Sequence, residues 1–237
     1  EFGCWIIEDA CHSPGGYFIN QAGQNIKSGS GQYADLAIFS FHPVKHIAAG
    51  EGGMVTTNNR DLYQRILNLR THGIQQDYSK RIYDDSVWYY EMQELGFNYR
   101  LTDIQAALAK SQLSRAEEGL VKRRSLAYKY NDYFKNKPYI KGHSKLVEGH
   151  AYHLYVIEIK KRNELIQYLR KDNIFLQIHY IPVHLMPYYR ERGWNEGDFP
   201  NAEKYYNNCI SLPMYPTLTD DDFNYVIEKI DTFFLNN

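Results

Sequence analysis

The chain predicts an α/β fold in two parts. Residues 1–120 read as the C-terminal part of a larger α/β domain, and 121–237 as a linking helix followed by a small α/β domain. Three features of the sequence carry this. Short apolar runs in the first 60 residues each end in loop-forming residues, as strands of an open sheet do. Two apolar patterns of helical period then occupy 60–73 and roughly 102–133. The second half alternates strand, helix and strand before a closing pair of helices.

The elements follow in order. "CWII" (4–7) is a strand that runs into Glu8 and Asp9. The Gly, Ser and Asn density of "SPGGYFINQAGQNIKSGSGQ" (13–32) reads as loop. "DLAIFSF" (35–41) and "GGMVTT" (52–57) are two more strands. "RDLYQRILNLRTHG" (60–73) places Leu62, Ile66 and Leu69 on one helix face, with Gly73 as its stop. After a Tyr-rich loop over 78–100, Thr102 or Asp103 can cap a long helix. Its apolar face carries Ile104, Ala107, Leu108, Leu113 and Leu120 and runs on toward Tyr133. "YHLYVIEI" (152–159) alternates as a strand, "NELIQYLRKDN" (163–173) is a helix, and "IFLQIHYIP" (174–182) is another strand. "AEKYYNNCISL" (202–212) and "TDDDFNYVIEKIDTFFL" (219–235) close the chain as helices, the last opened by Thr219 with Asp222 as a capping-box variant.

Composition narrows the function classes. A net charge of −1, with acids and bases interspersed, argues against nucleic acid as a partner. No apolar run approaches the roughly 18 residues of a membrane span. The three cysteines, Cys4, Cys11 and Cys209, are odd in number and lack metal-ligand spacing, so a reducing, cytoplasmic setting is expected. The chain opens on "EFGCWIIEDA", without an initiator Met or a signal-peptide pattern. It is expected to be the C-terminal part of something longer, whose absent strands would leave sheet edges open.

The chemistry gathers around Lys45, which follows "DLAIFSFHPV" and precedes "HIAAGEGG". In an open α/β sheet the carboxyl ends of the strands line the ligand crevice. Lys45 follows such an end, after Ser40 and His42, while Asp9 stands at another with His12 three residues on. Taken singly, Asp9 reads equally as a turn cap, and Lys45 as a solvated loop lysine. As a pair they match pyridoxal phosphate, which needs a lysine for its aldehyde and an acid to keep its ring nitrogen protonated. Ser40 could meet the phosphate, and His12 or His42 could border the ring. No metal site is expected. His42 and His46 are separated by Pro43 with no acid after His42, and His179 and His184 lie across a proline on different faces.

Four segments, "EDACHSPGG", "FSFHPVKHIAAGEGGMV", "GFNYRLTDIQAAL" and "HYIPVHLMPYY", resemble in order and spacing the DegT/StrS-type nucleotide-sugar aminotransferases, fold-type I enzymes that use pyridoxal 5'-phosphate. The resemblance covers residues 6 to about 235. "VWYYEMQELGFNYRLTDIQAAL" and "AYHLYVI" are similar to the branch that aminates a UDP-linked 4-keto-6-deoxy-N-acetylhexosamine in pseudaminic acid biosynthesis, with glutamate as donor.

Carried over motif by motif, the resemblance implies that Lys45 is the catalytic amine bonded to the cofactor. It implies that Asp9 pairs with the ring nitrogen, that Ser40 meets the phosphate and that His12 packs beside the ring. Asn98 would reach the phosphate of the neighbouring subunit, making a homodimer with shared sites, and Arg100, His179, Tyr180 and His184 would face the substrate. The family's phosphate-gripping Ser/Thr/Gly helix start and ring-stacking aromatic have no counterpart in the chain. The alternative is therefore a catalytically incompetent fragment, or a non-catalytic sugar-nucleotide-binding relative.

Overall fold

The computed structural model describes residues 3–75, 77–83 and 86–236. It divides into two compact units, Glu1–Glu117 and Glu118–Asn237.

In the first unit, β1 (Ile7–Asp9) is followed by a hairpin of β2 (Tyr17–Ile19) and β3 (Asn25–Lys27), then β4 (Leu36–Ser40), β5 (Gly53–Thr56) and helix α1 (Arg60–Arg70). β1 pairs in parallel with β4, with Ile7 opposite Leu36 and Asp9 opposite Ile38. β5 pairs antiparallel on the other side of β4, with Ser40 opposite Gly53. The hairpin lies inside the segment expected to be loop. Asn20 Oδ1 accepts the amides of Ala22 and Gln24 at 3.0 and 2.9 Å, an Asx turn that lets two three-residue strands pair. Strands that short are masked by the turn residues around them.

Asn59 caps α1 by accepting the amides of Asp61 and Leu62. Past its end the backbone of Gly73 meets that of residues 94–96 closely enough that a Cβ on either Gly73 or Gly96 would collide with backbone atoms. Asp84 and Asp85, in the Tyr-rich segment, lie outside the described residues.

The long expected helix is two, α2 (Asp103–Leu113) and α3 (Ala116–Phe134). At the break the Ser114 hydroxyl donates back to the Ser111 carbonyl at 2.8 Å, a local bond that competes with the helix ladder. Thr102 and Gln105 form a capping box on α2. Its expected apolar face is exposed: Ile104 is 84% accessible and Leu113 61%, whereas Ala109 packs against Phe41, Ile47 and Ala49.

The second unit is an antiparallel sheet in the order β6 (Ile140–His143), β7 (Tyr155–Ile159), β8 (Cys209–Leu212). It packs with most of α3, with α4 (Arg162–Lys171) and with α7 (Asp220–Leu235), and between β7 and β8 the chain also forms α5 (Pro187–Arg190) and α6 (Pro200–Asn208). Tyr155, Ile157 and Ile159 of β7 meet Leu165 and Leu169 of α4 and Ile230 of α7 in one core, all of them inaccessible to solvent. Burying an aliphatic side chain of this size is worth about 1.5–3 kcal/mol, so this core is what orders the unit.

Two expectations give way here. "CISL" is a strand, not the end of a helix. All four residues are buried, so the run lacks the alternation that marks a half-exposed strand. "IFLQIHYIP" is irregular apart from one bridge, Gln177 to Ser211, on the edge of β8 that faces away from β7. The Thr219–Asp222 capping box is present as expected.

Candidate functional site

Parallel pairing sets the first unit's site. Because Asp9 is level with Ile38, its side chain leaves the same sheet face as Ile38 and, two residues on, Ser40. Both therefore stand at one carboxyl edge. Glu8, on the opposite face, is held by the Gly29 amide at 3.1 Å from each carboxylate oxygen. A one-residue slip of β1 would exchange the two acids, and the Glu8–Gly29 contact opposes it.

The Asp9 carboxylate is built to stay ionised. The Cys11 side chain lies beside it, the Cys11 backbone amide donates to its Oδ1 at 3.0 Å, and the charges of His12 and Lys45 act in the same direction. Together they hold its pKa below the usual aspartate value. Burial, reinforced by the neighbouring Asp9, pushes Cys11 up to about 11, so it stays a neutral thiol beside the acid. Its Sγ also lies 3.9 Å from the Ile38 carbonyl, tying the end of β1 to β4.

Lys45 is half-buried on a loop that leaves the same edge. Phe41 closes the base of that loop twice, donating to the Gly52 carbonyl and accepting from the Ala49 amide, each at 2.9 Å. Within it, the Lys45 amide donates to the His42 carbonyl at 2.9 Å, and the Val44 amide lies 3.4 Å from His42 Nδ1. His42 is thereby used to shape the turn. Ser40 Oγ accepts the His42 amide at 3.3 Å, which leaves its own proton to donate elsewhere.

Asn98 and Arg100 are exposed on the strand-like segment leading into α2. Asn98 bridges Thr71 just past α1, and the Tyr99 amide donates to the Arg70 carbonyl at 2.9 Å. The start of α2 is tied to the loop beyond Lys45, since Gln105 Nε2 donates to the Glu51 carbonyl at 3.1 Å.

His179, Tyr180 and His184 belong to the second unit. His179 Nδ1 is 2.7 Å from the Ser211 hydroxyl, and Tyr180 is 59% exposed. His184 is only 8% exposed, with its Nε2 2.7 Å from Glu203 Oε1. The first unit thus gathers Asp9, His12, Ser40 and Lys45, with Asn98 and Arg100 on a neighbouring segment, while the other three lie in the second.

Sequence reasoning missed Cys11 and Glu203. An Asp followed two residues on by an amide is a readable Asx-turn signal for Cys11. Nothing local marks Glu203, 19 residues beyond its histidine.

These groups fit the cofactor that the resemblance names. An ionised acid suits a protonated ring nitrogen, a hydroxyl with a proton to give suits a phosphate oxygen, and a half-buried amine suits an aldehyde. Among the described residues no cluster of His, Cys, Asp and Glu could hold a metal ion, and no helix is long and apolar enough to cross a membrane.

The sequence profile of the DegT/DnrJ/EryC1/StrS aminotransferase family matches residues 1–231. The chain is 34% identical to the UDP-4-amino-4,6-dideoxy-N-acetyl-beta-L-altrosamine transaminase of Campylobacter jejuni, over 95% of the chain and 57% of that protein. It superimposes on the aminotransferase PseC of Helicobacter pylori with a TM-score of 0.85 at 28% identity, covering 98% of the chain and 60% of PseC. For the PLP form of Spr1654 from Streptococcus pneumoniae the TM-score is 0.82 at 28% identity, covering 96% and 57%. The chain thus spans 57% to 60% of the length of these relatives.

Proposed function

The chain belongs to the DegT/DnrJ/EryC1/StrS aminotransferase family, and we propose that it carries the amino-transfer residues of a pyridoxal-phosphate-dependent sugar aminotransferase. The observation that carries the reading is the shared carboxyl edge. There Asp9 is kept ionised and feels the charge of Lys45, and Ser40 leaves the same sheet face.

Pyridoxal phosphate, when bound, supplies an electron sink that lets the carbon–hydrogen bond beside an attached nitrogen ionise. Asp9 would hold the proton on its ring nitrogen, and Ser40 Oγ would donate to a phosphate oxygen. His12 would flank the ring. Lys45 Nζ would anchor the cofactor's aldehyde carbon at rest. Once released from that carbon, the amine would be the base that carries the proton from the donor's α-carbon to the former aldehyde carbon across the shared nitrogen. The same amine would serve the reverse traffic when the keto-sugar arrives, which predicts ping-pong kinetics.

The substrate assignment is finer. The likeness to the Campylobacter transaminase and to PseC, described as involved in biosynthesis of pseudoaminic acid, supports a UDP-linked 6-deoxy-N-acetylhexosamine, aminated at a 4-keto carbon, as acceptor; glutamate would be the donor. His179 and Tyr180 would face that sugar-nucleotide. A homodimer would let Asn98 and Arg100, both exposed, reach the partner's site. Cys11 and Cys209 are thiols outside any disulfide, which suits a reducing cytoplasm.

The test is optical and chemical. Adding pyridoxal phosphate to the purified protein should raise a visible absorbance band that Lys45→Ala abolishes. Glutamate with the UDP-keto-sugar should then yield 2-oxoglutarate and an amino-sugar. An equal band in the variant, or transamination at the parental rate, would overturn the assignment.

A further inference from the structure

The lobe between residues 185 and 199 is folded around one carboxylate that the proposed chemistry does not use. Glu203, in the first turn of α6, has a side chain only 12% exposed. It meets His184 Nε2 at 2.7 Å, accepts the Gly197 amide at 2.8 and 3.0 Å on its two oxygens, and lies 3.4 Å from the Phe199 amide. These contacts lower its pKa, the His184 hydrogen bond first and the two amides after it. Both ends of the lobe therefore close on the same acid. The Phe199 ring packs between His184 and Trp194, with centroid separations of 4.8 and 5.5 Å, which completes the closure.

The closed lobe presents an aromatic ring and a guanidinium in fixed relation. Arg192 lies over the Tyr188 ring, 3.4 Å from its centroid, and its Nη1 donates to the Tyr188 carbonyl at 2.6 Å. Both residues face solvent. An aromatic face takes a nucleobase by stacking, and a guanidinium takes phosphate oxygens two at a time. Tyr180, also exposed, precedes the lobe by only a few residues.

We infer that Glu203 is a positioning residue which, through His184 and the Gly197 and Phe199 amides, sets Tyr188 and Arg192 to receive the nucleoside diphosphate half of the substrate. This rests on the sugar-nucleotide reading above and deepens it. It places His184 inside the lobe as a strut, with recognition left to the exposed Tyr188 and Arg192. Nothing in the arrangement involves the Asp9–Lys45 edge, so the two proposals fail separately.

The experiment uses UDP alone as the probe, titrated calorimetrically into the purified protein and its variants. The parent should bind UDP. Glu203→Ala should weaken that binding by about tenfold, and Glu203→Gln, which keeps an acceptor for the amides, should restore it to within about threefold. Arg192→Ala removes a surface group without touching the closure and should also cost about tenfold. Should Glu203→Ala fail to fold, the glutamine and Arg192 variants still decide. A parent that does not bind UDP, or an unchanged affinity in Glu203→Ala or Arg192→Ala, would overturn the inference. The Lys45 absorbance test would stand untouched in each case.

Discussion

Replacing Gly52 with alanine should damage both the stability of the first unit and its hold on the cofactor. Gly52 has a φ of +134°, a region that side-chain-bearing residues rarely adopt, and it accepts the Phe41 amide that closes the Lys45 loop. Forcing a Cβ into such a conformation costs about 1–3 kcal/mol. That Cβ would also stand 2.7 Å from Leu101 Cδ1. Since this atom is the tip of a flexible side chain, the crowding should add about 1 kcal/mol, the low end of the range for overpacking. A total of about 2–4 kcal/mol follows. Gly50 is the internal control: its φ is +81°, but nothing lies within 4 Å of an added Cβ, so it should lose only the backbone contribution of about 1–2 kcal/mol. Urea unfolding of the two variants followed by far-ultraviolet circular dichroism gives the stabilities, and pyridoxal phosphate titration gives the affinities. Gly52→Ala should be the worse on both counts. If it were as stable as the parent, or no worse than Gly50→Ala, then Leu101 and the loop closure would not constrain this position.

Two further predictions concern the second unit. Asp231 accepts hydrogen bonds from Tyr133, Tyr139 and Lys137; burial pushes its pKa up, but these partners outweigh it and the net shift is downward. Its stabilisation is therefore complete above the ordinary aspartate range and is lost as pH falls through the depressed folded value. Asp231→Asn should flatten the acid limb of stability below about pH 4, which denaturant midpoints at several pH values would show. An unchanged acid limb would disprove the role. Arg123 is buried, and its Nη1 serves the carbonyls of Tyr152, His153 and Met214. Arg123→Met should cost about 2–4 kcal/mol by stranding those acceptors, measured as a fall in urea midpoint. A loss below about 0.5 kcal/mol, the range of ordinary surface changes, would mean that other groups satisfy them.

Helices with caps and apolar periods were readable locally. Asn59, Thr102 and Thr219 each accept amides two or three residues ahead, so the signal and its partner lie within one turn. The elements that were misread depend on distant partners. β8 is buried on both faces by elements elsewhere in the chain, so its four residues carry no alternation of their own. The β2–β3 hairpin is stabilised by a turn whose Asn and Gly residues read equally well as loop. Ser114 ends α2 through a hydroxyl geometry that no periodicity records. The exposed apolar face of α2 shows the converse, a period that is visible locally while burial is not.

The order of Asp9, His12, Ser40, Lys45 and Asn98, and the family kinship that order implies, were settled by the sequence, because side-chain identity and spacing along one chain are all that such a motif requires. Only the tertiary structure decided that Asp9 and Ser40 leave one face of a parallel pair, that the Cys11 thiol meets the Ile38 carbonyl beside that acid, and that His184 is spent on Glu203. Strand register and the burial of a charge arise from contacts between residues tens of positions apart, and no local pattern of residues encodes which of them will meet.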